Sequence, residues 1–468
     1  MRAFPSGHRR PARAPPRPRP PPPPLSAHGP PAPPPPRNPQ KPKHHNQLTK
    51  LSGGISNIIL KVALKPRPAE RAAKRAGGGA RPTQRGQYQP LSGAFAEAVA
   101  VKVFGDKTEL VVDRAAEAAA VVALGDAGFG PQVMATFSNG RAERFLHCHT
   151  LRPEQMTGPP YRERVAAALA RFHAVRPGPP HDPRAPALWP SIERWLAEAR
   201  GLDWSAEAVP CAAKRAAAAR IDYDALARDV ARVRAACERA ASPVVFAHND
   251  LLSGNILVLQ RCGEGEGDRG ERDAEEDPSG PLTFIDFEYG AYNPRGFDLA
   301  NHFNEYAGFE CDYSRYPHGD AAKADFLRAY LEAAAEAGLD EGGGGSGRGR
   351  GGAPPEEQEA RLARLCAEVD AYSLASHAYW GAWSIIQARY SPIDFDYMAY
   401  HGLRWAELRK RLGAFCARAD EVFGPAAAAA AAAGKGGAAG ARGRAATPQQ
   451  GGRAKRKLPS FLACFSAE

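Results

Sequence analysis

Residues 246–260 read FAHNDLLSGNILVLQ and residues 282–306 read LTFIDFEYGAYNPRGFDLANHFNEY, and the fold is decided between them. Ile256-Leu257-Val258-Leu259 and Leu282-Thr283-Phe284-Ile285 are short apolar runs of strand character around a polar segment, the pattern of a β-hairpin. In an antiparallel ladder the residue after the returning strand lies opposite the residue before the outgoing one, with Cα atoms roughly 5 Å apart. Asp286 is therefore expected beside Asn255, with Asp250 on the adjoining loop. Oxygen ligands so arranged suit a Mg²⁺ ion that keeps several waters and accompanies a phosphate chain. A hard cation, a nucleotide and a carboxylate base are the parts of phosphoryl transfer, whose catalysis is mostly positioning and charge neutralisation.

After Phe297, Asp298 is the natural N-cap of a helix over the following residues. Glu305, seven positions along, shares its face and is expected as a second carboxylate near Asp250. The segment 261–280, crowded with Gly, Glu and Asp, lacks hydrophobic anchors and reads as a solvated insertion rather than a metal site.

The chain has 468 residues and a formal net charge of +11. Residues 1–47 carry nine Lys/Arg and no acid between proline runs, a disordered polyproline-type arm, and residues 425–468 are an Ala/Gly-rich basic tail. Removing the +9 of the arm and the +6 of the tail leaves −4 for residues 48–424. The folded part is thus mildly acidic, which argues against specific nucleic-acid binding as the main function. No stretch approaches the roughly 18 apolar residues of a membrane span, and the N-terminus lacks a signal-peptide apolar region. The expected location is cytoplasmic. Eight cysteines without a CxxC pair read as reduced thiols, with no support for structural zinc.

In chain order, Leu48 to Leu64 reads as strand, turn and strand with Gly53-Gly54 and Ser56-Asn57 at the tip, where backbone amides can close over phosphates. Residues 65–96 look like an insertion, and Ala98 to Phe104 resumes as a strand containing Lys102. Asp113 to Leu124 is a helix with Asp113 as N-cap and Glu117 in its first turn. Gly128 to Leu146 reads as two strands around Asn139-Gly140. From Pro153 the chain turns helical, and Glu357 to Ala388 reads as one long helix or a pair, with Trp380 and Trp383 on one face. Paired tryptophans are usually core.

His248-Asn249-Asp250 with Asn255, followed by Ile285-Asp286-Phe287-Glu288-Tyr289, resembles the catalytic core of the choline/ethanolamine kinases, relatives of the protein kinases and the aminoglycoside phosphotransferases. Residues 301–308, NHFNEYAG, and Leu251-Leu252 look more like the ethanolamine branch. The resemblance covers roughly residues 48–424 and implies an α+β, bilobal protein-kinase-like fold. Its small nucleotide-binding lobe would span 48–148 and its helical catalytic lobe 149–424.

The resemblance further implies ATP and Mg²⁺ as cofactors and ethanolamine as substrate, in the first step of phosphatidylethanolamine synthesis by the CDP-ethanolamine route. Asp250 would be the base, Asn255 and Asp286 would hold Mg²⁺ with support from Glu288, and His248 would brace the loop. Gly53, Gly54, Ser56 and Asn57 would cover the phosphates, Lys102 oriented by Glu117 would meet them, and Phe145 and Leu146 would lie near the adenine. Members often carry Arg where this chain has Lys102, which keeps the charge but lacks the bidentate fork. Glu305, Trp380, Trp383 and Tyr400 would surround the substrate ammonium. Two rival readings stand beside this one: choline as substrate, and a catalytically silent kinase fold whose Pro-rich arm docks partners. The oligomeric state is left open, a homodimer among the options.

Overall fold

Five antiparallel strands open the fold in the computed structural model, which describes residues 47–51, 57–63, 98–105, 112–260, 278–339 and 354–424. β1 (Gln47–Leu51), β2 (Asn57–Ala63), β3 (Ala98–Phe104), β4 (Val133–Phe137) and β5 (Gly140–Arg144) pair in the order β1-β2-β3-β5-β4. In this register Lys102 of β3 lies between Ile59 of β2 and Arg141 of β5. Directly opposed residues share a face, so Lys102 and Arg141 project together. Helix α1 (Arg114–Asp126) packs beside this sheet, and Asp113 caps it by accepting from the Ala115 and Ala116 amides at 3.0 Å each.

The rest of the described chain is mostly helical. Its principal helices are α2 (Arg162–His173), α3 (Leu188–Arg200), α4 (Tyr223–Arg239), α5 (Arg295–Asn304), α6 (Asp320–Glu336), α7 (Pro355–Tyr390) and α8 (Tyr397–Phe423). The stretch read as one helix or two is the single helix α7, and every residue from Leu365 to Ile386 is buried. A helix buried all round is a central shaft, and α3, α4, α5, α6 and α8 pack against it. Gly381 lets α8 come close, since a Cβ there would meet the Trp405 ring at 2.7 Å.

Between sheet and helices lie a three-stranded sheet of β6 (Cys148–Thr150), β8 (Ile256–Leu259) and β9 (Leu282–Phe284), and a ribbon of β7 (Val244–Ala247) with β10 (Ala291–Pro294). Three details differ from the sequence reading. Phe246 and Ala247, outside the two strands read from the sequence, belong to β7. The expected ladder is one residue off: Ile256 faces Phe284, and the Ile285 amide donates to the Asn255 carbonyl at 3.0 Å. Ile285 therefore stands opposite Asn255, and Asp286 follows with φ 66° and ψ 62°. That left-handed residue ends the ladder, so counting as if the strand continued overshoots by one. Lastly, α5 begins at Arg295, which places Asp298 inside its first turn rather than at its cap.

Candidate active site

Burial of the segment after β7 decides the site. His248 and Asn249 are fully buried, and Asn249 takes a positive φ of 65°. Their amides donate to the two carboxylate oxygens of Asp298, at 2.8 and 2.7 Å, and His173 Nε2 meets the same carboxylate at 2.9 Å. Burial works against this charge, but the contacts from His173 and His248 hold the Asp298 carboxyl below its ordinary range. His248 Nε2 bonds to the Ile285 carbonyl at 2.9 Å, and burial pushes its pKa down, so a neutral ring ties the loop to the end of β9.

Out of this anchored loop Asp250 faces a cleft of about 850 Å³. Asn255 and Asp286 line the same cleft, as does Glu288. The one-residue change of register thus does not separate them. Asn255 Nδ2 donates to the Asp250 carbonyl at 2.8 Å and to its carboxylate at 3.3 Å. Burial, then the charges of Glu305, Asp286 and Glu288, push the Asp250 pKa well up against this bond.

Lys102 reaches in from β3, 2.6 Å from Asp286 and 3.3 Å from Glu117. Burial opposes its charge, yet Asp286, Glu288 and Glu117 outweigh that and hold it protonated. Glu117 is also gripped by Arg141 at 2.7 Å and Arg114 at 2.6 Å, and despite burial these cations hold its pKa down at about 2. Phe145 and Leu146, just beyond β5, line the cleft too. Gly53, Gly54 and Ser56 lie outside the described residues, and Asn57 enters only as the first residue of β2.

The same cleft contains Glu305, Trp380, Trp383 and Tyr400. The indoles sit edge to face with centroids 5.3 Å apart. Trp380 Nε1 donates to Asn301 Oδ1 at 2.8 Å, Ser376 Oγ donates to the same oxygen at 2.8 Å, and Asn301 Nδ2 donates to the Asn249 carbonyl at 3.0 Å. Asn301 thereby joins the Asp250 loop to the aromatic wall. The sequence reading missed Asn301, Arg141 and Arg404, the last 3.3 Å from Glu305. Strand register would have revealed Arg141. The other two act across helices and leave no local signal.

The described residues contain one group of three or more ligating His, Cys or carboxylate side chains close enough to share an ion: Glu117, Asp286 and Glu288, with oxygens within 4.8 Å of one another. All are hard donors, and Asn255 adds a carboxamide oxygen to the same wall, a set that suits Mg²⁺ and not a soft metal. No helix among the described residues is long and apolar enough to cross a membrane.

A small antiparallel sheet carrying a buried lysine, above a helical lobe with this loop and strand end, defines a phosphotransferase of the protein-kinase-like class. The chain belongs to the choline/ethanolamine kinase family, whose model matches residues 48–408. An Arabidopsis thaliana protein described as "Probable ethanolamine kinase" is 34% identical over 363 residues, covering 77% of this chain and 78% of that one. "Probable ethanolamine kinase A" of Dictyostelium discoideum is 30% identical over 360 residues, 76% and 83% of the two chains. Among solved structures, an ethanolamine kinase of Plasmodium vivax matches with a TM-score of 0.57 at 25% identity, over 78% of this chain and 82% of that one.

Proposed function

We propose that this chain transfers the γ-phosphoryl group of ATP to the hydroxyl of ethanolamine, giving phosphoethanolamine and ADP. The observation that carries the reading is one cleft lined by two chemically different sets of side chains: Asp250, Asn255, Asp286 and Lys102, and Glu305, Trp380, Trp383 and Tyr400. The substrate has the same polarity, a hydroxyl two carbons from an ammonium.

Asn255, Asp286 and Glu288 would hold Mg²⁺, since Glu117 is already committed to three cations. When bound, the ion supplies charge neutralisation across the phosphate oxygens. Lys102 presents its ammonium to the transferring group. Asp250 orients the hydroxyl and takes its proton as the oxygen bonds to phosphorus and the bond to ADP breaks. In the same cleft the aromatic faces and Glu305 hold the cation. A primary ammonium carries three N–H donors, and Glu305 offers an acceptor that a trimethylammonium group cannot hydrogen-bond. The names of the relatives above favour the same substrate. A cytoplasmic location accords with two water-soluble substrates.

The test is ADP release with ethanolamine, with choline and with neither, for the native protein and Asp250→Ala. Ethanolamine-dependent release that falls by about 10² or more in the variant is expected. Release that prefers choline would overturn the substrate, and release unchanged in Asp250→Ala would overturn the mechanism.

A further inference from the structure

Arg404 is 2% exposed, yet it is not among the residues that line the cleft. It lies directly behind two that do. Its Nη2 donates to Glu305 Oε1 at 3.3 Å, and its guanidinium carbon is 5.4 Å from the centroid of the Tyr400 ring. The same Nη2 is 3.5 Å from Ser376 Oγ, whose hydroxyl donates to Asn301 Oδ1, the atom that also receives the Trp380 indole N–H. One buried cation therefore stands behind Glu305 and Tyr400 and touches the network that holds Trp380.

We propose that Arg404 is a positioning residue for the amino-alcohol pocket: it keeps the Glu305 carboxylate charged and aimed, so that Glu305 can accept the substrate ammonium. The inference rests on the reading of this cleft as an amino-alcohol kinase site. The electrostatics explain why such a residue is needed. Glu305 is buried and faces Arg404 and Tyr400 from α8, Asp250 from the catalytic loop and Cys311 from the turn beyond it. Of these groups Arg404 alone is cationic. Burial lifts the Glu305 pKa above the ordinary carboxylate range, and the Arg404 charge and hydrogen bond pull against that rise. Without Arg404 the carboxyl would take up a proton and lose its attraction for a cation. The pair also limits repulsion between Glu305 and Asp250 when the pocket is empty. The incoming ammonium thus meets an ion pair, and shares the carboxylate with Arg404 rather than neutralising it alone.

The experiment measures KM for ethanolamine, KM for ATP and kcat between pH 6 and 8 for native protein, Arg404→Lys and Arg404→Met. In Arg404→Met the ethanolamine KM is expected to rise by about tenfold or more and to climb further as pH falls, because a buried carboxyl has lost its partner. KM for ATP stays within about threefold, since the described contacts of Arg404 are to Glu305, Ser376 and Tyr400 and not to Lys102, Asn255 or Asp286. Arg404→Lys, which retains the charge, restores most of the ethanolamine KM and its flat pH profile. A pH-independent ethanolamine KM close to native in Arg404→Met overturns the proposal, while native turnover of ethanolamine in the same assay leaves the functional reading standing. Should the single variant not fold, Glu305→Gln and Glu305→Gln with Arg404→Met decide instead, because the double variant buries no unpaired charge. Equal ethanolamine KM in those two supports action through Glu305, and a further rise of more than about threefold in the double variant overturns it.

Discussion

The Lys102 ammonium lies 2.6 Å from the Asp286 carboxylate, closer than the 3.3 Å to its expected partner Glu117. The contact joins the third strand of the small sheet to a residue two positions past the end of β9. The orientation of this lysine is set from two sides, and on the proposed reading phosphate oxygens would meet it there. Lys102→Met is expected to lower kcat by about 10²–10³, the usual cost of removing one preorganised donor from a developing charge. The KM for ethanolamine stays near native, since the described ion pairs of Lys102 are with Asp286 and Glu117 and not with Glu305. Steady-state kinetics with both substrates varied check this, and a kcat within tenfold of native would refute it.

Asp298 carries the catalytic loop on two backbone amides and a histidine. Asp298→Asn leaves one acceptor oxygen where two are used and turns an N–H₂ toward an amide donor. The variant is expected to lose about 2–4 kcal/mol of stability, within the range for breaking a buried charged hydrogen-bond network. Its kcat falls by at least about tenfold as Asp250 loses its support. Urea unfolding and turnover, measured on the same preparation, test both. Normal kcat in a destabilised protein would show that Asp298 serves the fold alone.

His302 gives the fold a defined acid sensitivity. Its Nδ1 donates to the Leu251 carbonyl at 2.9 Å, and burial lowers its pKa from 6.5 to about 4. Below pH 6.5 the unfolded chain binds a proton that the folded chain refuses until about pH 4. Stability present above pH 6.5 is therefore lost across that window, by about 3 kcal/mol at its lower end. In His302→Asn, whose amide can keep the bond to Leu251, this component disappears. The native advantage over the variant is expected to shrink as pH falls from 7 to 4, read from paired urea titrations. A constant difference across that range would rule the histidine out.

Residues 47–424 are expected to carry the activity. The family match spans residues 48–408, α8 ends at Phe423, and the described residues that line the cleft run from Ile59 to Tyr400. A chain trimmed to 47–424 is predicted to retain kcat and both KM values within about twofold, as for loosely tethered segments. A soluble trimmed protein with most of its activity gone would show that a terminal segment belongs to the catalytic machinery.

Much of this molecule was legible in the sequence because its signals are local. Apolar runs mark β8 and β9, the carboxylates and carboxamide flank them, and Asp113 caps α1 through atoms two and three residues away. Those inferences need only neighbours in the chain, and they yielded the hairpin, the acid set and the paired tryptophans. Folding in three dimensions settled what no local pattern encodes. The left-handed turn at Asp286 set the register, and Asp298 became a buried anchor instead of a cap. Arg404 found Glu305 from 99 residues away. Charges buried that deeply persist only with partners, and which partner arrives depends on how α5, α7 and α8 pack, a property of the assembled core rather than of any segment.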